Sequence, residues 1–218
     1  MEKRILTNSG CPTSFLELRT QITNNDQDEA GESMKIAIFG SAFNPPHKGH
    51  EFIYRTLLEF RLVDEVWLLP AKDPAFSKSR ASNNHRLAML KLILEPRVKI
   101  ELYEIECSSV NNTYSSLLAI QRQNPELEFS FVIGADKLNG FNHWVMYAEL
   151  LERFRVWVFP RCGFELSPLY KGMHVISEVE CLDVSSTLVR EFVKADHSLD
   201  GLVGKQIGNY IVKHGLYV

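Results

Sequence analysis

The chain has 218 residues, enough for one α/β domain with a sizeable core. Hydrophobic residues make up 45% and charged residues 23% of it, and the net charge is −3; this is an ordinary globular balance with no sign of a nucleic-acid-binding face, so a phosphate site would have to be local. No apolar run approaches the roughly 20 residues of a membrane span and the charged start MEKRILTNSG has no signal-peptide core, while Cys11, Cys107, Cys162 and Cys181 are scattered without a Cys-x-x-Cys pair, which points to reduced thiols, no structural zinc and a cytoplasmic protein.

Residues 1–33 read as a polar extension. TQITNNDQDEAGES is acidic and can build no core of its own, and only Phe15, Leu16 and Leu18 before it offer a short docking helix. From residue 34 to 218 strands and helices alternate, as expected of one domain. Ile36-Ala37-Ile38-Phe39, closed by Gly40, predicts a buried strand. A turn-rich loop through Pro45-Pro46 leads to a helix on which Ile53, Leu57 and Phe60 share a face. Glu65–Leu69 predicts a second strand, stopped by Pro70, and the polar stretch AKDPAFSKSRASNN a loop. His85–Leu94 is expected as a helix with Leu87, Leu90 and Leu94 inward, ended by Pro96, and Val98–Leu102 alternates as a strand. Tyr114–Gln123 is helical in pattern, Glu128–Ile133 is a strand broken by Gly134, Trp144–Phe154 a helix and Arg155–Phe159 a strand. His174–Ile176 is a weak strand, and Ser185–Lys194 and Val203–His214 are closing helices. Strands separated by crossover helices predict an α/β, doubly wound, mostly parallel sheet with helices on both faces, and such sheets bind ligands beyond the strand C-termini at the switch point.

Three stretches carry chemistry. In Gly40-Ser41-Ala42-Phe43-Asn44-Pro45-Pro46-His47-Lys48-Gly49-His50 a strand, a loop and a helix start make a phosphate site, because helix N-termini present free N–H groups and a positive dipole end; the histidines add donors and Lys48 a fixed charge. The bland alternative makes both histidines surface or helix-cap residues. In Ser185-Ser186-Thr187-Leu188-Val189-Arg190 the capping hydroxyls form an anion cradle, with Arg190 within one turn for bidentate phosphate binding; an ordinary capped helix is the alternative. In Phe131-Val132-Ile133-Gly134-Ala135-Asp136, Gly134 admits a ligand to the backbone and Asp136 can accept from a ribose hydroxyl. On residue type alone Trp144, further on, is a packing residue.

The first stretch resembles the HxGH signature of the nucleotidyltransferase superfamily, and the second its S-[SA]-T-x-x-R element. With Asp136, Lys137, Leu138, Phe141, Trp144, the Arg161-Cys162-Gly163 turn and the terminal Tyr210-Ile211 and Gly215-Leu216-Tyr217, the chain from about Met34 to Tyr217 is similar to the nicotinate-nucleotide adenylyltransferases. It departs from them at Ala42, where a Thr or Ser is usual, and at Asn112 and Ser115, which replace Tyr and Asp.

The resemblance implies a Rossmann-like nucleotidyltransferase fold and adenylyl transfer from ATP to nicotinate mononucleotide, giving deamido-NAD and pyrophosphate in NAD biosynthesis. The alternatives are another acceptor, nicotinamide mononucleotide or phosphopantetheine, or a non-catalytic nucleotide sensor of the same fold. It implies catalytic roles for His47, His50, Lys48 and Arg190. Gly40, Ser41, Ala42, Phe43, Gly49, Gly134, Asp136, Ser185, Ser186 and Thr187 would bind ATP. Asn44, Lys78, Thr113 and Trp144 would bind the mononucleotide, with Thr113 near the pyridine carboxylate and Trp144 stacked on the ring. Mg²⁺ is expected to arrive with ATP, with no metal site of the protein's own, and ATP and a small mononucleotide are the expected partners, with no nucleic acid and no membrane.

Overall fold

Six apolar segments, Lys35–Ser41 (β1), Glu65–Pro70 (β2), Val98–Ile100 (β3), Glu128–Gly134 (β4), Arg155–Phe159 (β5) and Met173–Val175 (β6), form one all-parallel sheet. A computed structural model describes residues 33–72, 81–107, 112–177, 179 and 181–218, and Phe15–Leu18 and Lys78 lie outside them. The strand order is β3-β2-β1-β4-β5-β6. Ile36, Ala37, Ile38, Val66, Leu68, Val156 and Val158 are all fully buried, as expected where helices cover both sheet faces. The helices are Lys48–Glu59 (α1), Asn83–Lys91 (α2), Tyr103–Glu106 (α3), Thr113–Gln123 (α4), Tyr147–Arg153 (α5), Ser186–Lys194 (α6) and Lys205–Lys213 (α7). The chain runs outward through β2 and β3, returns to lay β4 on the other side of β1, and continues to β6. The switch point therefore lies between the C-terminal ends of β1 and β4. Among the described residues no helix is long and apolar enough to cross a membrane.

Several elements differ from expectation, each for a visible reason. The third strand stops at Ile100 rather than Leu102, because the Glu101 carboxylate accepts the Tyr103 amide at 2.8 Å and turns the chain into α3. The expected helix from Trp144 begins only at Tyr147: Phe141–His143 is a 3₁₀ turn, and Met146 stands in the left-handed region at φ 58°. On α1 the buried face is His50, Tyr54, Leu57 and Leu58, with Ile53 and Phe60 at its margin. On α2 Arg86, Met89 and Leu90 are buried, whereas Leu94 is 38% exposed beyond the helix end.

The expectation of reduced thiols is corrected. Cys162, in the turn after β5, is disulfide-bonded to Cys181, which leads toward α6, with Cα atoms 5.4 Å apart. Their separation of 19 residues carries no pairing signal, since β6 and its flanks bring the two together. Closing a loop of that length stabilises by about 3 kcal/mol in the chain-entropy account. Urea unfolding with and without a reductant should differ by up to that amount, and a Cys181→Ser chain should match the reduced protein. No difference would mean that the bond constrains nothing in the unfolded chain.

Candidate functional site

The loop between β1 and α1 is shaped by its own backbone and by partners far away in sequence. Phe43 is fully buried in the left-handed region at φ 46°, a conformation that a bulky side chain keeps only when packing dictates it. Its ring lies 4.7 Å from His50 and 5.6 Å from Phe39. Arg86, fully buried, donates to the Ala42 carbonyl at 2.5 Å, to the Ala71 carbonyl at 2.7 Å and to Asn83 Oδ1 at 2.6 Å, so α2 holds this loop and the end of β2 together. Asn44 is 1% exposed; its Oδ1 accepts from the Ala81 amide and from the Tyr217 hydroxyl, while its Nδ2 has no partner among the described residues.

The two histidines cap α1 reciprocally. His47 is the N-cap, its Nδ1 accepting the Gly49 amide at 3.1 Å; His50 returns the favour, its Nδ1 accepting the His47 amide at 3.1 Å. Each ring thus receives an N–H on Nδ1, which places the proton of the neutral imidazole on Nε2. His50 Nε2–H meets the Ser41 hydroxyl at 3.2 Å. His47 lines the cavity beyond, its ring 3.8 Å from that of His50. The Gly49 amide approaches so closely that a Cβ there would stand 3.0 Å from Cε1 and Nδ1 of His47, which explains the glycine between the histidines.

Both rings are buried, His47 at 8% exposure and His50 at 5%. Burial, with the Arg161 guanidinium adding to it, pushes His47 down to about 3; burial, His47 and Arg161 together push His50 well down. The pair is neutral at physiological pH, a pair of donors rather than of cations. The native state keeps these rings neutral while the unfolded chain protonates them near the ordinary value of about 6.5. The unfolded chain therefore binds more protons below that value, and stability falls as pH drops from about 6.5 toward about 3. Unfolding free energies across that range should show this slope, and His47→Asn should flatten it; an unchanged slope would show that the rings already titrate in the native state.

A cavity of about 180 Å³ lies between the ends of β1 and β4, lined by Ser41, both histidines, Gly49, Gly134, Asp136, Lys137, Trp144 and Arg161 among others. The Asp136 carboxylate folds back over Gly134, where a Cβ would stand 2.5 Å from Oδ1. It pairs with Arg161 at 3.2 Å and with Lys137 at 3.0 Å. A second cavity, about 250 Å³, is lined by Glu104, Asn112, Thr113, Trp144 and Val145. Trp144 is thus a wall of both, its ring 4.9 Å from Phe141.

At α6 the expected helix cap is formed, and much of the segment grips the loop. Ser185 caps the helix through the Leu188 amide at 3.1 Å, and Ser186 donates to the Pro45 carbonyl at 2.9 Å. Arg190 donates to the Asn44 carbonyl at 2.7 Å and to Thr187 Oγ1 at 3.0 Å. Neither Lys48, which is exposed, nor Arg190 lines the first cavity; its cations are Arg161 and Lys137. Sequence reasoning assigned those two no role. Arg161 had a signal, the Arg-x-Gly turn, whereas Arg86 had none. Asn112, which lines the second cavity, and Ser115, the two departures at the start of α4, form the capping box of that helix: Asn112 Oδ1 accepts the Ser115 amide at 2.9 Å and Ser115 Oγ accepts the Asn112 amide at 3.2 Å.

Residues 38–192 match the sequence pattern of the cytidylyltransferase-like family. The chain is 32% identical over 188 residues to a probable nicotinate-nucleotide adenylyltransferase of Bacillus pumilus, covering 84% of this chain and 98% of that one. It is 31% identical over 187 residues to the nicotinate-nucleotide adenylyltransferase of Bacillus subtilis, with 84% and 98% covered. Its fold is similar to that of Plasmodium falciparum nicotinic acid mononucleotide adenylyltransferase complexed with NaAD, at a TM-score of 0.70 and 20% identity, covering 84% of this chain and 97% of that one.

Proposed function

The chain belongs to the cytidylyltransferase-like family and, within it, to the nicotinate-nucleotide adenylyltransferases, and from that membership we propose the part each residue plays. It transfers the adenylyl group of ATP to nicotinate mononucleotide, giving deamido-NAD and pyrophosphate. A phosphate oxygen of the mononucleotide attacks the α-phosphorus in line; that P–O bond forms as the bond to the bridging oxygen of the β-phosphate breaks, and the electron pair leaves with pyrophosphate. Such a step needs positioning and charge stabilisation more than covalent help.

The observation that carries this reading is the pair of buried imidazoles at the switch-point cavity whose Nδ1 atoms each accept a backbone amide, which leaves Nε2 as the donor. His47 donates to the phosphate oxygens on which charge grows, and His50 does the same once its Nε2–H turns from the Ser41 hydroxyl to them. Gly40, Ser41, Ala42, Phe43 and Gly49 bring the loop backbone and the first turn of α1 to the triphosphate. Ser185, Ser186 and Thr187 open α6 toward it. Lys48 adds charge from the rim, and Arg190 holds the loop through the Asn44 carbonyl while its charge remains beside the phosphates. Arg161 and Lys137 supply the cations inside the cavity, and on nucleotide binding Asp136 exchanges a cation for the ribose hydroxyls beside Gly134. The phosphate charge is also spread by the Mg²⁺ that accompanies ATP; the carboxylate of Asp136, alone among the described lining residues of that cavity, is already engaged by two cations. On the mononucleotide side Trp144 stacks on the pyridine, Thr113 at the start of α4 meets its carboxylate, the Asn44 amide offers its unpartnered Nδ2, and Lys78, between β2 and α2 in the sequence, contributes charge.

A panel of acceptors with ATP, read as pyrophosphate release, tests the assignment. Nicotinate mononucleotide should give the highest kcat/KM, because donors set for a carboxylate are left unpaired by the amide. Equal or better turnover with nicotinamide mononucleotide or phosphopantetheine would reject it, and no release with any acceptor would favour a sensor. Residues 34–218 form the catalytic domain in this reading and 1–33 an extension, so a chain beginning at Met34 should behave alike in the same assay.

A further inference from the structure

We propose that Glu104 sets the choice between the acid and the amide form of the mononucleotide, and that this choice depends on pH. The inference rests on the second cavity being the pyridine subsite. Its described walls are Glu104, Asn112, Thr113, Trp144 and Val145, and Glu104 is the only ionisable side chain among them. That is unexpected in a pocket meant for a carboxylate. The start of α4 suits an anion, since the first turn of an eleven-residue helix presents N–H groups there. A carboxylate of the protein's own opposes it, because an ionised Glu104 repels a pyridine carboxylate and offers only acceptors, which suit the amide NH₂. A proton resolves the conflict. Protonated, Glu104 donates to the acid; ionised, it accepts from the amide.

The surroundings support this exchange. Ser116, fully buried, donates its hydroxyl to Glu104 Oε1 at 3.0 Å, so one oxygen is held and the carboxyl is fixed in place. Burial raises the affinity of Glu104 for its proton above the usual carboxylate range, with the Ser116 hydrogen bond pulling the other way. The titratable groups on the elements packed about it are Glu101, Tyr103, Glu106 and Cys107 of α3 and its flanks, Tyr114 and Arg122 on α4, Glu65 on β2 with Lys72 beyond it, and His143 and Tyr147 flanking the Trp144 wall. The Lys72 ammonium donates to the Cys107 carbonyl, and what acts on the Glu104 carboxyl is burial first and the Ser116 hydrogen bond second.

The test is the ratio of dissociation constants for the two free mononucleotides, amide over acid, measured by calorimetry on the full chain from about pH 4.5, the ordinary carboxylate value, up to about pH 8.5. Ionisation of the ligand phosphate and of the histidines affects both ligands alike and divides out. The ratio should fall about tenfold across the range, the loss of one well-placed donor against a buried acceptor. In Glu104→Gln, neutral and still a donor, it should stay high and flat. In Ser116→Ala, which removes the hydrogen bond favouring the ionised form, the fall should move to higher pH. A flat ratio in the parent chain, or the same slope in Glu104→Gln, overturns the proposal. Because binding is the readout, loss of pyrophosphate release would sink the proposed reaction while this ratio still judges Glu104.

Discussion

Replacing His50 with alanine is expected to lower kcat by a factor of about 10²–10³, the usual effect of removing one preorganised donor aimed at developing charge. The same should hold for His47. The position of both residues ahead of the helix's apolar stripe would suggest almost no change in stability, yet their burial and reciprocal capping of α1 say otherwise. Each alanine should cost about 1–2 kcal/mol, the range for losing an N-cap. The catalytic and capping readings are therefore compatible, and a second substitution separates them. In His47→Asn the side-chain oxygen still accepts the Gly49 amide, so stability should stay near the parent while the rate falls as in the alanine variant. Single-turnover rates and urea midpoints for the three variants decide it. Activity of His47→Asn within a few-fold of the parent would remove His47 from the chemistry.

Arg86→Met is expected to give the largest loss of stability, about 3 kcal/mol or more. The guanidinium is fully buried and three of its hydrogen bonds serve two main-chain carbonyls and Asn83. A hydrogen bond to a charged donor contributes about 1.5–3 kcal/mol, and a buried carbonyl left unpaired adds a desolvation penalty. The loss should also reach catalysis, since the Ala42 carbonyl is part of the loop that positions Phe43 and, through it, the His50 ring. A fall in kcat of about tenfold or more is expected, without a matching change in ligand-free ring protonation. Arg86→Lys, able to replace one donor but not the fork, should lie between. An Arg86→Met chain within about 1 kcal/mol of the parent would show that the loop is held by its own turn residues.

How much of this was legible in the sequence follows from how local each signal is. The first strand, the His-rich loop and the helix after it are written in consecutive residues, as is the Ser185 cap with its helix, and the structure has them where pattern and capping rules put them. The parallel order of the sheet follows from alternating elements, and its switch point from the chain's return to the far side of β1. What escaped depends on partners distant in the chain. Arg86 looked like a polar neighbour of an inward leucine until its acceptors, 15 and 44 residues away, were in view. Arg161 owes its place facing the histidines to β5 lying beside β4, and the Cys162–Cys181 bond to the path of β6. The short α3 was lost because one carboxylate, Glu101, outweighs an alternating pattern. Asn112 and Ser115, departures from the family's pattern, show why a substitution at a site need not be a loss: together they cap the helix that carries Thr113.

Trp144 also gives the protein an optical reporter. Of the three tryptophans, Trp157 is buried at 1% exposure with its indole N–H held by Ser130, and Trp67 donates to Glu65 two residues before it on β2. Trp144 lines both of the cavities described above. Its emission should respond to a ligand arriving from either side, while the other two supply a constant background. With Trp144→Phe as the blank, the order in which the two substrates enter can be read from the native fluorescence of the unlabelled chain.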